Sequence, residues 1–464
     1  MKRYERLRND MLALPAMAII VGLAAPAAHA DEATLATRPA AARAPAAAAV
    51  VPVAAPPAAE ASPDDQAAEA ARQGEMRLRL LDAQLLLVTG RFTAAREAYA
   101  GLRSDVPTSA EPVAGLATVA RETGRPRLAR ELQREAVLLD PGNTSLASGL
   151  VALERDRAPR LRGDIEQRIQ RGGIGSDKAD ITIGEAGGHW NVGEAWRIGA
   201  TQGVAHVDAT NVRRPSGAVR DFSGDRIRTE VFLQHEWREG ATVQASLFAN
   251  EWSAGFGLSG RLPDDWGYTG ARIEYRRPVW DFVEAIIDGA VRDRVAAERF
   301  QRFTPQLTGR IEVGLNRYGI PRDEEDILSS ATVRGELRYG DLGGIAGLSI
   351  AYALDAEYVL DETRRIDASG ASFQPLPIVD REVHAGLIGY GGTRGSVNGD
   401  GRLTYQFQAG YGADRYGRSG PVAYGTIGYA VGPVEISLRA GYVRNIGRSQ
   451  GETTVLGAAM AFLF

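Results

Sequence analysis

The chain has 464 residues, no cysteine, two lysines (Lys2 and Lys178) and a formal net charge of -4. Without cysteine it has no disulfide framework, thiolate metal site or cysteine nucleophile, and the small net charge gives no reason to expect a nucleic-acid partner. Nearly every positive charge is arginine, which forks onto carboxylates and keeps its charge when partly desolvated.

Residues 1–30 read as an export signal. Lys2, Arg3, Arg6 and Arg8 precede the Ala-rich apolar stretch from Met11 to Pro26, and Ala28-His29-Ala30 has the small-x-small form of a cleavage site. Residues 31–73 are rich in alanine and proline, with runs such as Ala46 to Ala49 and Pro56-Pro57. Few large side chains and no amphipathic period are visible there, so a disordered linker is expected.

Residues 74–156 carry a repeat. Thr89-Gly90-Arg91, Ala95-Arg96-Glu97 and Pro107 return 34 residues later as Thr123-Gly124-Arg125, Ala129-Arg130-Glu131 and Pro141. That is the period of tetratricopeptide repeats. Gly90 and Gly124 fall where antiparallel helices turn, Ala95 and Ala129 allow close helix approach, and Pro107 and Pro141 stop the second helix. A further helix near 145–155 is expected to cover the open face of the last repeat.

From about residue 157 to Phe464 the pattern alternates with period two, as sixteen candidate strands running from 161–171 to 453–464. Among them is an eighth at 281–293, and the link at 294–304 breaks the long–short order of connections and reads as a periplasmic segment or a fold-in that narrows the bore. An even strand number, near-spanning lengths and long–short loops fit an antiparallel transmembrane barrel. The last strand places Met460, Phe462 and Phe464 on one face and ends on an aromatic, as barrel insertion signals do. Trp237, Trp252, Trp266 and Trp280 lie at turns, where interface girdles form.

On the inward face the alternation selects charged residues. Arg226, Arg228 and Glu230 share one strand, as do Arg272 and Glu274. Glu284, Asp288 and Arg292 follow in the expected eighth strand, then Arg310 and Glu312, then Arg334, Glu336 and Arg338. Strands sit about 4.8 Å apart, so these side chains can pair around a lumen. Of the histidines beyond residue 30, His189, His206, His235 and His384 show no ligand spacing, and Gly257-Leu258-Ser259-Gly260 is not a nucleophile elbow. No catalytic residue, cofactor or metal is expected.

Signal peptide, linker, tetratricopeptide repeats, a barrel of about sixteen strands and terminal Phe464, in that order, resemble the outer-membrane porins that export exopolysaccharides, of the Pel, poly-N-acetylglucosamine and cellulose type. The resemblance implies that the barrel conducts a secreted polysaccharide across the outer membrane of a Gram-negative cell, while the repeats dock synthesis or modification proteins in the periplasm. Lipid, lipopolysaccharide and the barrel assembly machinery are the remaining expected partners. Two clear repeats are fewer than that family carries. Translocation of a surface lipoprotein, which also combines repeats with a barrel, stays open as an alternative, with a barrel hydrolase ranked lower.

Overall fold

The computed structural model describes residues 63–323, 325–396, 401–448 and 450–464. The export signal expected at 1–30, and the linker up to residue 62, lie outside these.

Five helices come first: α1 (Pro63–Val88), α2 (Phe92–Asp105), α3 (Ala110–Glu122), α4 (Pro126–Leu139) and α5 (Thr144–Arg157). They form two antiparallel hairpins and a closing helix. Gly90 and Gly124 occupy equivalent turns at φ +76° and +71°, a region that a Cβ would disfavour. Ala95 and Ala129 are fully buried where helices meet, and Pro107 and Pro141 follow the ends of α2 and α4. The Asn143 side chain caps α5 by accepting from the Ser145 and Leu146 N–H groups. One boundary differs from expectation: α1 begins at Pro63, so the last eleven residues of the expected linker are helical. Ala67, Ala68, Ala70 and Ala71 are strong helix formers, and a proline is tolerated in the first turn.

The rest is a closed antiparallel barrel of sixteen strands. They are β1 (Arg160–Arg171), β2 (Lys178–Val192), β3 (Trp196–Arg213), β4 (Val219–Glu236), β5 (Thr242–Asn250), β6 (Ala254–Asp264), β7 (Gly267–Pro278), β8 (Val291–Arg302), β9 (Leu307–Ile320), β10 (Glu325–Gly340) and β11 (Leu348–Glu362), then β14 (Arg381–Ser396), β15 (Gly401–Asp414), β16 (Ser419–Val431), β17 (Val434–Arg444) and β18 (Glu452–Leu463). A two-residue hairpin, β12 (Arg365–Ile366) and β13 (Ser372–Phe373), stands apart in the link between β11 and β14. Closure is made by β1 against β18, in register from Arg160 opposite Leu463 to Arg171 opposite Glu452.

Alternate residues point out, and these are apolar. Leu247, Phe256, Ile273, Val295, Leu315, Ile388, Leu438 and Met460 are all exposed on different strands, and Phe462 stacks on Phe464. A continuous exposed belt of this kind suits hydrocarbon, not water. Trp190, Trp196, Trp237 and Trp266 are exposed at the mouth that carries the termini of the barrel, the start of β1 and the end of β18, with the His235 ring 4.4 Å from both Trp196 and Trp237. Trp252 and Trp280 depart from the expected girdle: Trp280 is buried inside, and Trp252 packs against Gly289 and Arg322.

The eighth strand is displaced by ten residues. Residues 281–290 do not form a strand, and only 291–293 of the expected one do: the chain leaves β7, turns inward as helix α6 (Val283–Asp288) and returns to the wall as β8. The stretch 294–304, expected to be a link, is wall through Arg302. A bulge also changes the inward set of β7. Register shifts between Glu274 and Arg277, with Arg276 at φ +51°, so Arg277 takes the inward place that strict alternation assigns to Arg276.

The helices are clamped to the turns of the mouth bearing the termini. Asp265, between β6 and β7, accepts from Thr93 at 2.6 Å and from Arg125 at 3.2 Å, and pairs with Arg96. Glu236 pairs with Arg157 at 3.5 Å, Glu194 with Arg134 at 3.2 Å, Glu131 with Arg238 at 2.5 Å, and Glu435 with Arg155 at 3.2 Å. Burial pushes the Asp265 carboxyl up, but the Thr93 hydrogen bond and the charges of Arg96 and Arg125 outweigh it and hold the group below the usual carboxylate range. A carboxylate depressed in this way contributes its stabilisation above its unperturbed pKa and loses it as pH falls through the folded value. Asp265→Ala is therefore expected to free the helices for protease cleavage near neutral pH while the barrel stays intact, and acidification below the carboxylate range is expected to do the same to the wild type. Equal cleavage rates for mutant and wild type at neutral pH would show that Asp265 does not hold the clamp.

Candidate functional site in the barrel lumen

Strands β1 to β11 turn their polar alternates inward, and these pair across the wall. Glu185 pairs with Arg228, whose guanidinium lies 4.2 Å from the Trp280 ring centre. Glu230 pairs with Arg277 at 3.2 Å, Arg277 with Glu274 at 2.5 Å, and Glu274 with Arg292 at 3.7 Å. Glu312 holds both Arg272 and Arg294, the latter at 2.6 Å, and Arg310 pairs with Glu298 at 2.6 Å. Arg334 reaches Asp355 at 3.4 Å, and Asp355 holds Arg381 at 2.8 Å. Across the closing seam, Arg439 forks onto Asp164 with two bonds of 2.8 Å and reaches Glu166 at 2.9 Å.

Most residues expected in the lumen thus stand on its wall, from Arg226, Arg228 and Glu230 to Arg334. Glu336 and Arg338 continue the inward face of β10, with Glu336 opposite Arg310 in register. Glu284 and Asp288 do not line the wall. They belong to α6, which is buried along its whole length. Sequence alternation also passed over Glu185, Arg277, Arg294, Glu298, Asp355 and Arg381. Arg294 and Glu298 were hidden by the displaced eighth strand and Arg277 by the bulge. By contrast, between Arg381 and Asp414 toward one mouth and Arg402 toward the other, the inward face of β14 to β16 carries Leu387, Gln406, Gln408, Val422, Tyr424 and Thr426, so the middle of that side of the bore is neutral.

Helix α6 is held from two sides. Val283, Ile286, Ile287 and Trp280 pack on Ile181, Ile183, Ala205 and Val207 of β2 and β3. Phe282, Ala285 and Ala290 pack on Tyr318, Ile320, Ile327 and Leu328 of β9 and β10, with Leu376 and Ile378 of the β11–β14 link. Its carbonyl ends are met by the wall: Arg226 donates to the Ile287 carbonyl at 2.9 and 2.7 Å, Arg168 to that of Trp280 at 3.1 Å, and Asn250 to that of Gly289 at 3.3 Å. Asp288 pairs with Arg214, and Asp281 with Arg292 at 3.4 Å. Gly289 ends the helix at φ +65° against Trp252, whose ring would lie 1.9 Å from an added Cβ. The arrangement narrows the bore and gives it charged, hydrogen-bonding walls below the helix. Among the described residues there is no cluster of His, Asp and Glu able to hold a metal ion.

Burial pushes the Glu284 carboxyl up to about 7, with the neighbouring Asp288 charge adding to the shift. An acid whose pKa is raised in its seat favours that seat when protonated. The seating of α6 is then firmest below the ordinary carboxylate pKa and weakens as pH rises through about 7. Planar-bilayer conductance is expected to be higher at pH 8 than at pH 5, and Glu284→Gln is expected to remove that step; a pH-independent wild type would contradict this. A second outcome concerns the wall. Arg294 and Glu312 are both nearly buried, so Glu312→Ala leaves a guanidinium uncompensated at a cost of about 3–5 kcal/mol. Losing Glu298, whose partner Arg310 is exposed, costs about 1 kcal/mol or less. Thermal unfolding in detergent, followed by gel mobility, separates the two.

Compared with solved structures, the chain is similar to a structure described as a bacterial polysaccharide outer membrane secretin, at 12% identity and a TM-score of 0.45, over 66% of this chain and 98% of that one. It is also similar to OccAB3 of Acinetobacter baumannii (10% identity, TM-score 0.34, 66% and 99% covered) and to OprB of Pseudomonas putida at high pH (10%, 0.35, 68% and 97%). No family model matches the chain, and no curated protein matches it in sequence.

Proposed function

We propose that this chain is an outer-membrane channel that conducts an exopolysaccharide outward. In this reading the mouth bearing the termini faces the periplasm, and the helical hairpins clamped there act as tetratricopeptide-like repeats that receive synthesis or modification proteins. The terminal strand, with Met460, Phe462 and Phe464 turned to lipid, serves as the signal read by the assembly machinery.

The observation that carries the reading is the paired inner wall. Arginines and carboxylates that neutralise one another leave little net charge to trap an ion, yet they keep N–H and carboxylate oxygen atoms at the bore. A hydrated sugar chain can exchange hydrogen bonds with such a surface without any single contact holding it, because partly exposed pairs are individually weak. The neutral middle of β14 to β16 adds amide and hydroxyl groups of the same kind. The reading assigns no reaction.

The test combines a deletion strain with substitution of the wall. Loss of the protein is expected to leave polymer inside the cell envelope. Glu230→Gln with Glu274→Gln is expected to keep heat-modifiable, membrane-inserted barrel while shifting ion selectivity toward anions and lowering polymer release. Unchanged polymer release in the deletion strain would refute the proposal. Unchanged release and selectivity in the double variant, with only a loss of thermal stability, would make the wall structural.

A further inference from the structure

Helix α1 has two apolar faces and uses one. Met76, Leu80, Ala83, Leu86 and Leu87 pack into the cluster with Phe92, Tyr99 and Val119. On the other side Leu78, Leu81, Leu85 and Val88 are 65%, 60%, 63% and 71% exposed. These four are spaced three, four and three residues apart, and Ala71 and Gly74 continue the same spacing toward the N-terminus. A 3,4 alternation is the seam of a coiled coil, not the broader stripe of a helix packed once in a globular core. The helix is also 26 residues long where its hairpin partner α2 has 14, so its first half overhangs the domain body.

We propose that α1 pairs in parallel, through this seam, with α1 of a second copy of the chain. Set out as heptads, Leu78 and Leu85 take the first core position, and Leu81 and Val88 take the second. Arg77 and Asp82 then occupy the two flanking positions. In a parallel pair a residue at the first flank faces the second flank of the neighbour five residues on, so Arg77 meets Asp82 of the second copy, twice by symmetry. An antiparallel pair would set second flank against second flank and bring the acids Glu75 and Asp82 together. Arg77 and Asp82 are both exposed and have no ion pair within the chain among the described residues. Their neighbour Arg79 is already engaged, with Asp105 at 2.7 Å.

Anchorage agrees with this polarity. The C-terminal end of α1 leads into Gly90, which lies against Pro305 of the β8–β9 turn. Two copies in one membrane therefore hold the same end of α1 at the same rim. By sequence, the residues preceding α1 are a poor alternative occupant, because Pro52, Pro56 and Pro57 are unfavourable in a pairing helix and large apolar side chains are few.

Because the chain has no cysteine, a single introduced thiol reports contact cleanly. Full-length Leu81→Cys, oxidised in native membranes, is expected to give a disulfide-linked species of twice the chain mass. Gln73→Cys, on the opposite face, is expected to give none. Arg77→Asp should lower the linked fraction in the Leu81→Cys background, and adding Asp82→Arg should restore it. Heat-modifiability of the barrel in each variant verifies folding. A monomer by light scattering with no linked species at position 81 would overturn the proposal. So would a photo-crosslinking residue at position 81 that captures a different polypeptide, which would make the seam a site for another protein's helix.

Discussion

A strand in hydrocarbon has no water for its peptide groups, so each must find its partner on the next strand, and the last strand must find the first. Pairing of β1 with β18 over twelve residues meets that demand, and most of the remaining architecture follows from it. Closure fixes which alternate faces lipid, and the outward face becomes apolar. It also commits every other residue to a confined interior, where a charged side chain needs a partner within reach. Arginine suits that place because it bonds two carboxylates at once, as Arg439 does with Asp164 and Glu166 across the closing seam.

The folded-in helix solves a different problem. A wide bore cannot be filled by wall side chains alone, and the β7–β8 link supplies an apolar body to occupy it. Its Ile286 and Ile287 side faces β2 and β3, where the inward residues are Ile, Ala and Val, while its Phe282 side faces β9 and β10. The inward faces of these strands are thus apolar at the level of the helix and charged elsewhere. Asp288, Glu284 and Asp281 give the helix polar attachments that apolar packing alone would not provide.

Strand number, the outward belt, the 34-residue helical period and the turn positions of Gly90 and Gly124 were legible because each rests on a short-range period. The eighth strand was not. Val283 to Asp288 contains Ala285-Ile286-Ile287 in succession, which is no alternation, and Gly289 just after it is a helix stop. The true strand was masked because Arg299 points outward near the rim, where it bonds Asp264 at 2.5 Å and so breaks the apolar side of the pattern. Arg277 could not be found by counting in twos, since a bulge is set by the partner strand. The seam of α1 was overlooked because alanine and glycine carry its first half, and these read as linker composition.

The β3–β4 hairpin has a further consequence. Its strands are 18 residues each, well beyond the 9–11 that cross a bilayer, so it rises past the barrel at the mouth opposite the termini. The β12–β13 hairpin leans on it, with Arg213 3.2 Å from Asp367 and stacked over Phe373. Since the β7–β8 link is spent inside the bore, these two joined hairpins stand over that mouth, and a macromolecule approaching from that side would meet them ahead of the wall beneath them.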